Sequence, residues 1–285
     1  MELVVISGKG GTGKTTISFA LSELASNVIK ADCDVDAPNL YLFSKGENIK
    51  IEPFITGNKI LLDKDKCVEC GRCEEVCRFD AIKDFEVNEY KCEGCGACTY
   101  VCPVNALKLV PEQGAQTIIT KTDKGIISRA QMEIGADGSG KLITKVRKKA
   151  KEYETDNTLT IIDGSPGIGC PVIASITGCK YAVIVTEPTI SGMEDLKRVI
   201  GVCNHFKVTP LICVNKYDIN VDVTNDIKEF CSKNNYEVVG EIPYDDMVMK
   251  SINELKPIIS YEESIANKAV REMWKKIKKS IDINN

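Results

Sequence analysis

The apolar residues of the chain fall into two alternating patterns. Short, nearly continuous apolar runs predict buried strands, whereas runs with apolar residues three or four positions apart predict helices. The predicted strands are Leu3–Ser7, Val28–Ala31, Thr117–Thr120, Leu159–Ile162, Tyr181–Val185, Pro210–Val214 and Glu237–Val239. The predicted helices run from the turn after the first strand to about Ala25, and over residues 140–154, 191–205, 223–234 and 263–281. Strands that alternate with helices predict a doubly wound, mainly parallel α/β sheet.

This alternation is interrupted once, by a cysteine-rich stretch that begins after Phe54 and ends near Leu109. We therefore predict one α/β domain built from residues 1–54 and 111–285, with a small α+β domain, residues 55–110, inserted into it. The free energy of closing a loop rises only with the logarithm of its length, by about 0.6 kcal/mol per doubling. A folded insert of this size is thus easily tolerated.

Composition and charge narrow the class of protein. A hydrophobic content of 43% is ordinary for a soluble globular core. The formal net charge of -4 argues against a protein that chiefly binds nucleic acid, because such binding depends on neutralising phosphates. The apolar stretch after Met1 is too short for a signal peptide, and no apolar run approaches the ~20 residues that span a bilayer. We expect a cytoplasmic protein with neither nucleic acid nor membrane as a partner.

A glycine-rich turn connects the first predicted strand to the first predicted helix and matches the P-loop pattern G-x-x-x-x-G-K-[ST]. In such a turn the backbone N–H groups surround the phosphates of a nucleotide, Lys14 reaches the β- and γ-phosphates, and the Thr15 hydroxyl holds Mg²⁺. The predicted nucleotide-binding residues of this turn are Gly8, Lys9, Gly10, Gly11, Thr12, Gly13, Lys14, Thr15 and Thr16.

Two acidic segments follow other predicted strands. Asp163 ends the strand Leu159–Ile162 and precedes the segment Gly164-Ser165-Pro166-Gly167. A carboxylate in this position beside a P-loop holds Mg²⁺ directly or through water. The second segment, Asp32-Cys33-Asp34-Val35-Asp36, follows the strand Val28–Ala31.

Together the P-loop and these two segments resemble the MinD/ParA family of deviant P-loop ATPases, which includes the nitrogenase iron protein. The resemblance covers nearly the whole chain outside the cysteine-rich stretch, and it implies an ATP-dependent homodimer. It implies that Lys9 contacts the phosphates of the partner chain, a class of contact worth about 10³ to 10⁵ in rate. It assigns Asp34 as the carboxylate that orients the attacking water and contacts Mg²⁺, with Asp32 and Asp36 as weaker candidates. An acidic turn without a catalytic role is the alternative.

Recognition of the base is predicted from one further segment. Asn215-Lys216-Tyr217-Asp218 spells N-K-x-D, in which many GTPases read guanine through the aspartate. The resemblance implies instead that Asn215 contacts adenine and that the loop around Pro243 flanks the base. We expect ATP as the nucleotide, with GTP as the alternative. The only histidine, His205, is predicted to be structural, so phosphoryl transfer must rest on carboxylates, lysines and metal.

The chain contains 14 cysteines, and without a secretory signal these indicate metal or redox chemistry rather than disulfides. Two runs, Cys67 to Cys77 and Cys92 to Cys102, share the spacing C-x2-C-x2-C-x3-C. This spacing is similar to that of bacterial ferredoxins with two [4Fe-4S] clusters. A zinc ribbon would leave the third and fourth thiol of each run unexplained.

The similarity to ferredoxins implies the ligand sets, because the fourth cysteine of each run binds the other cluster. Arg78 stands where the second run has Pro103, a departure that removes no ligand. The predicted ligands are Cys67, Cys70, Cys73 and Cys102 for the first cluster and Cys77, Cys92, Cys95 and Cys98 for the second.

Cys170 lies seven residues after Asp163, as does a cluster ligand in the nitrogenase iron protein. The second ligand of that protein has no counterpart in Ala136-Asp137-Gly138-Ser139-Gly140, so a complete bridging cluster is not expected. Two interpretations stay open for Cys170: a buried apolar residue, and an interface thiol that binds metal or a transferred cluster.

The last predicted helix is amphipathic, with Met273, Trp274 and Ile277 on one side and lysines on the other. We expect the apolar side to dock on the protein; membrane binding is the alternative.

These expectations combine into a nucleotide-gated iron–sulfur protein. ATP binding would close a dimer, hydrolysis would reset it, and the two clusters would deliver electrons or iron–sulfur units to a client protein that the sequence does not name. The alternative from another class is a positioning or partition ATPase whose clusters are structural.

Overall fold

The computed structural model describes residues 1–136 and 140–281. The strands are β1 Glu2–Ser7, β2 Val28–Asp32, β3 Gly46–Leu62, β4 Ile82–Lys83, β5 Glu86–Val87, β6 Leu107–Thr122, β7 Gly125–Met132, β8 Leu159–Pro166, β9 Tyr181–Thr186, β10 Thr209–Asn215 and β11 Glu237–Ile242. The α-helices are α1 Lys14–Leu24, α2 Arg72–Val76, α3 Ala97–Val101, α4 Gly140–Lys151, α5 Cys170–Ile176, α6 Ile190–His205, α7 Val221–Lys233, α8 Asp246–Asn253 and α9 Ile265–Ser280. Short 3₁₀ turns span Leu40–Phe43 and Ile258–Ser260.

Most of these strands form one sheet in the order β11-β10-β9-β1-β8-β2-β7-β6-β3. Parallel pairings join neighbouring strands from β11 to β7. The central strands β1, β2 and β8 are almost wholly buried, as expected for a parallel sheet that is covered on both faces. The predicted mainly parallel α/β fold is thus confirmed. Because parallel strands end at the same edge, the loops after β1, β2, β8, β9 and β10 come together there.

The chain divides into two compact units. The first contains the described residues of 1–51, 117–131 and 138–285, and the second those of 52–116 and 132–137. The chain crosses between the units within β3, within β6 and at the end of β7. The second unit contains the whole of the predicted insert, residues 55–110.

The second unit has a small apolar core of its own. Its buried residues are Ile60, Ile82, Cys98 and Leu107. Cysteines from both runs pack against this core, namely Cys73, Cys77, Cys92 and Cys102. A core this small stabilises little, so the unit is of the kind that commonly relies on a metal or another cross-link.

Each strand and helix predicted outside the insert is present, most of them with ends that differ by a few residues, although β6 begins at Leu107 rather than Thr117. Four elements that lie wholly or partly outside the insert, β3, β7, α5 and α8, were missed. The apolar pattern was expected to break after Phe54, whereas β3 continues through that point from Gly46 to Leu62. β3 lies at the edge of the sheet and exposes Ile51 and Ile55, so it lacks the continuous buried run by which strands were predicted. α5 and α8 are short, which leaves too few residues for a clear period, and the buried stretch of β7 includes the polar residues Ser128 and Arg129.

The predicted docking of the last helix is confirmed. Met273, Trp274 and Ile277 on α9 are buried in the main apolar core. The apolar side of α9 therefore packs within the protein. Among the described residues, no helix has the length and apolar character needed to cross a membrane.

Candidate functional site

The glycine-rich turn lies where it was predicted, between β1 and α1. Its last glycine, Gly13, has a φ of 89° and forms the N-cap of α1. A side chain there would be doubly unfavourable: φ is left-handed, and a Cβ atom would lie 2.5 Å from Asn215 Nδ2. Glycine at this position thus lets the end of β10 approach the turn closely.

Lys14 lies at the centre of a buried polar cluster. Its Nζ donates a hydrogen bond to Asp163 Oδ1 at 2.9 Å and lies 3.2 Å from Asp34 Oδ2. The Thr15 hydroxyl donates to Asp163 Oδ2 at 2.7 Å, and the Ser18 hydroxyl donates to Asp163 Oδ1 at 2.8 Å. The structure therefore brings together four of the predicted site residues from three separate segments of the chain.

Ser18 was missed by the sequence analysis. It lies four residues after Lys14 on the same face of α1, and it is fully buried. That spacing is the signal that could have identified it.

The three aspartates of the acidic loop have different environments. Asp34 is half-buried and faces Lys14, whereas Asp36 is exposed. Asp32 is fully buried at the end of β2; its Oδ2 accepts a hydrogen bond from the Leu40 N–H at 3.0 Å, and its Oδ1 has no partner. Of the three, Asp34 is the one placed against the lysine of the P-loop with partial access to solvent.

The charged groups of this cluster shift one another's pKa values. Burial raises the pKa of Asp32 to about 8, and the nearby Asp163 acts in the same direction. Burial also raises the pKa of Asp34, against the attraction of Lys14. Burial alone would lower the pKa of Lys14, but Asp163 and Asp34 raise it above its ordinary value. Lys14 therefore stays charged, while Asp32 keeps a proton near neutral pH.

The stability of the nucleotide-free protein should fall as the pH rises from about 5 to about 8. Above its ordinary pKa of 3.8, Asp32 loses its proton in the unfolded chain but keeps it in the folded protein until the pH nears 8. The folded state then binds more protons than the unfolded state, so raising the pH favours unfolding. Asp32→Asn, which keeps an acceptor for the Leu40 N–H, should raise the melting temperature at pH 8 by about 3 °C or more.

Thermal denaturation followed by circular dichroism measures this dependence. Asp36→Asn removes the same charge at an exposed position and is the matched control, which should follow the wild-type protein. If Asp32→Asn showed the same pH dependence as wild type, the carboxyl of Asp32 would not carry the proton assigned to it.

Lys9 lies apart from the buried cluster. Its side chain is 36% exposed, and its Nζ is 3.7 Å from Glu187 Oε2. The same carboxylate receives a hydrogen bond from Lys216 Nζ at 2.7 Å. The structure thus places the two lysines of the turn in different surroundings, with Lys14 buried and Lys9 at the surface.

The N-K-x-D segment is engaged within the chain itself. Asn215 Nδ2 donates a hydrogen bond to the Thr12 carbonyl at 2.8 Å, which ties β10 to the P-loop. Asp218 Oδ1 accepts a hydrogen bond from the Tyr244 N–H at 2.7 Å, so it holds the loop that begins at Pro243. These contacts give Asn215 and Asp218 structural roles that do not require a guanine base.

The two cysteine runs of the second unit adopt equivalent conformations. Gly71 and Gly96, with φ of 76° and 77°, form the N-caps of α2 and α3. After each helix a backbone N–H donates to the sulfur of the fourth cysteine: Ala81 to Cys77 at 3.3 Å and Ala106 to Cys102 at 3.2 Å. The repeated spacing in the sequence is thus a repeated local structure, in which the fourth sulfur of each run accepts a backbone hydrogen bond.

One cavity of the second unit brings together cysteines from both runs. It is lined by apolar residues, including Ile60 and Phe79, and by the four cysteines Cys77, Cys92, Cys95 and Cys98. In the other predicted set, Cys73 and Cys102 pack against the small core, Cys67 is half-buried and Cys70 is exposed. No group of three or more His, Cys, Asp and Glu side chains within residues 1–136 and 140–281 is placed to hold a single metal ion.

Cys170 is the first residue of α5 and is exposed, so it is not the buried apolar residue that was one of its two interpretations. Its other interpretation, an interface thiol, stays a prediction. Of the segment Ala136–Gly140, which was compared with the second cluster ligand of the nitrogenase iron protein, residues 137–139 lie outside the described part of the chain.

His205 ends α6, as predicted, and its ring contacts Phe206 with the ring centroids 5.0 Å apart.

Comparison with known proteins identifies the family to which the chain belongs. The model for the CobQ/CobB/MinD/ParA nucleotide-binding domain matches residues 3–258. The chain belongs to this family. An uncharacterised protein of Methanocaldococcus jannaschii is 37% identical over 284 residues, which are 99% of this chain and 98% of that protein.

Two similar proteins have names that state a role. The septum site-determining protein MinD of Bacillus subtilis is 26% identical over 284 residues, 96% of this chain and 88% of that protein. The structure of the septum site-determining protein MinD from Pyrococcus horikoshii, complexed with Mg-ADP, covers 99% of this chain and 98% of its own, with a TM-score of 0.58 and 20% identity. At that identity the structural likeness shows the fold.

Proposed function

We propose that the protein is an ATP-hydrolysing switch of the positioning type, in which ATP brings two copies together and hydrolysis separates them. The observation that carries this proposal is the cluster in which Lys14 and Thr15 of the P-loop meet Asp163 and Asp34. The names of the MinD relatives from Bacillus subtilis and Pyrococcus horikoshii support a positioning role better than a role in electron transfer.

The residues of the cluster suit a nucleotide with Mg²⁺. The Thr15 hydroxyl and the Asp163 carboxylate offer oxygen atoms, the ligands that Mg²⁺ prefers, and the ion would neutralise charge on the phosphates. Without nucleotide, Lys14 pairs with both Asp163 and Asp34, and its single positive charge offsets part of their negative charge. When phosphates occupy the turn, Lys14 turns to them, and Asp34 is left free to orient the attacking water.

Lys9 completes the site in the proposed dimer. Hydrolysis of a phosphoanhydride relies on positioning and on stabilising negative charge, which Lys14 supplies from the same chain. Lys9, exposed at the surface, supplies a second positive charge to the phosphates of the partner chain. Hydrolysis thus requires two chains, so a bound ATP is hydrolysed only after the dimer has formed.

A second candidate function is specifically favoured by the cavity of the second unit. We propose that this unit carries two [4Fe-4S] clusters, the second of them held by Cys77, Cys92, Cys95 and Cys98, which line one apolar cavity. Hydrogen bonds from backbone N–H groups to cysteine sulfur, as at Cys77 and Cys102, stabilise thiolate ligands. When bound, the clusters would supply one-electron transfer, and the protein would deliver electrons or iron–sulfur units to a client. In a positioning ATPase they would be structural.

The spacing of the cysteines is compatible with clusters. Each cysteine of a [4Fe-4S] cluster binds a different iron atom, so the four sulfurs stand farther apart than the ligands of a single ion. The absence of a site for a single metal ion among the described residues is therefore compatible with such a set.

Mg-ATP should bind more tightly than Mg-GTP, and Asp218→Ala should leave the ratio of the two affinities unchanged. The Asp218 carboxylate is engaged by the Tyr244 N–H, so its loss loosens a loop that flanks either base. If Asp218 read guanine, its removal would lower GTP affinity alone, by about tenfold or more. Calorimetry with both nucleotides separates the cases, and a turnover assay with ATP tests the proposed hydrolysis. Tighter binding of GTP would contradict the choice of ATP.

A further inference from the structure

Glu187 is placed by the strand order between the loops that carry Lys9 and Lys216. It is the first residue after β9, and β9 pairs with β1 on one side and with β10 on the other. Lys9 follows β1, and Lys216 follows β10. Parallel strands end at the same edge, so all three side chains meet above the end of β9.

The carboxylate of Glu187 is shared unequally between the two lysines. Its Oε1 accepts a hydrogen bond from Lys216 Nζ at 2.7 Å, whereas Lys9 Nζ lies 3.7 Å from Oε2, beyond hydrogen-bonding distance. The Glu187 side chain is only 17% exposed, compared with 36% for Lys9. Glu187 thus attracts Lys9 in its own chain, but its stronger partner is Lys216.

We propose that Glu187 is a positioning residue that holds Lys9 within its own chain before dimerisation, and that Lys216 keeps this hold weak enough to be broken. The inference rests on the proposed function, in which Lys9 must reach the phosphates of a second copy. When Lys9 leaves, Glu187 stays neutralised by Lys216, so no unpaired and largely buried carboxylate is created. The transfer of Lys9 to the partner therefore costs little.

This arrangement gives two single substitutions opposite effects. Glu187→Gln removes the attraction, so Lys9 is free and less ATP should be needed for dimerisation. Lys216→Met removes the competing cation, so Glu187 holds Lys9 more tightly and more ATP should be needed. Measured values for partly exposed ion pairs correspond to shifts of about two- to fivefold in each direction. The double variant should behave like Glu187→Gln, since Lys216 acts only through Glu187.

The experiment measures the ATP concentration that gives half-maximal dimer, by sedimentation velocity, in an Asp34→Ala background that prevents turnover. Lys228→Met is the charge-matched control, because Lys228 forms a comparable ion pair with Glu241 at 2.9 Å and should not shift the curve. Opposite shifts for Glu187→Gln and Lys216→Met support the inference. Coincident curves for all variants, or shifts in the same direction, overturn it while leaving the ATP-dependent dimer intact. Absence of any dimer in the Asp34→Ala parent overturns both.

Discussion

A Lys9→Ala variant should bind Mg-ATP nearly as tightly as the wild-type protein but hydrolyse it about 10³-fold more slowly. The expectation follows from the different surroundings of the two lysines of the P-loop. Lys14 is 6% exposed and contacts Asp163 and Asp34 of its own chain, whereas the Lys9 side chain is 36% exposed and forms an ion pair with Glu187. On the proposed function, loss of Lys9 therefore removes a charge that acts in the assembled dimer, without disturbing the site in which a single chain binds nucleotide.

Lys14→Ala is the matched comparison for this prediction, because it removes the same charge from the same turn. It should weaken ATP binding as well as turnover, since Lys14 is proposed to contact phosphates from its own chain. Calorimetry measures binding, and phosphate release under single-turnover conditions measures the rate. Equal loss of binding in the two variants would contradict the separate roles of Lys9 and Lys14.

Protein purified without oxygen should contain about eight iron atoms and about eight acid-labile sulfides per chain, as two [4Fe-4S] clusters require. The cavity that joins Cys77 of the first run to Cys92, Cys95 and Cys98 of the second makes a stronger prediction about which cluster each cysteine serves. Cys95→Ser with Cys98→Ser should lower the iron content to about four, and so should Cys67→Ser with Cys70→Ser.

Iron and sulfide analysis, with the absorbance and EPR spectra of the reduced protein, provides the measurement. Cys203→Ala removes a cysteine that is buried in the first unit and should leave the iron content unchanged. One zinc ion per four cysteines, with no sulfide, would contradict the ferredoxin-like interpretation and leave the nucleotide site unaffected.

The parallel core and the P-loop could be predicted because both depend on local sequence. A buried strand such as β1 is a continuous apolar run, and the turn after it needs Gly13, Lys14 and Thr15 at fixed spacing. Their meeting with Asp163 was also predictable, since the carboxyl ends of parallel strands share one edge of the sheet. The edge strand β3 was missed because its alternate residues face solvent, which leaves no buried run to detect.

The environment of Lys9 could not be predicted in the same way. Its contact with Glu187 depends on the position of β9 between β1 and β10, an order that the sequence does not state. Similarly, N-K-x-D is a local pattern with two possible uses, and the contacts of Asn215 with the Thr12 carbonyl and of Asp218 with the Tyr244 N–H assign it a structural one. The strand order fixes which distant segments come into contact. Those contacts give Lys9 and Lys14 their different surroundings.

The claim that two chains share each nucleotide site is tested most directly by mixing two inactive variants. Lys9→Ala lacks the lysine offered to the partner, and Asp34→Ala lacks the carboxylate that orients water in its own site. In a mixed dimer one site combines an intact Asp34 with an intact Lys9 from the other chain, and the second site lacks both. Mixing should therefore restore up to about half the activity of a wild-type dimer, from homodimers that are each about 10³-fold impaired. No recovery, in a sample where mass spectrometry shows the mixed dimer, would contradict the shared site.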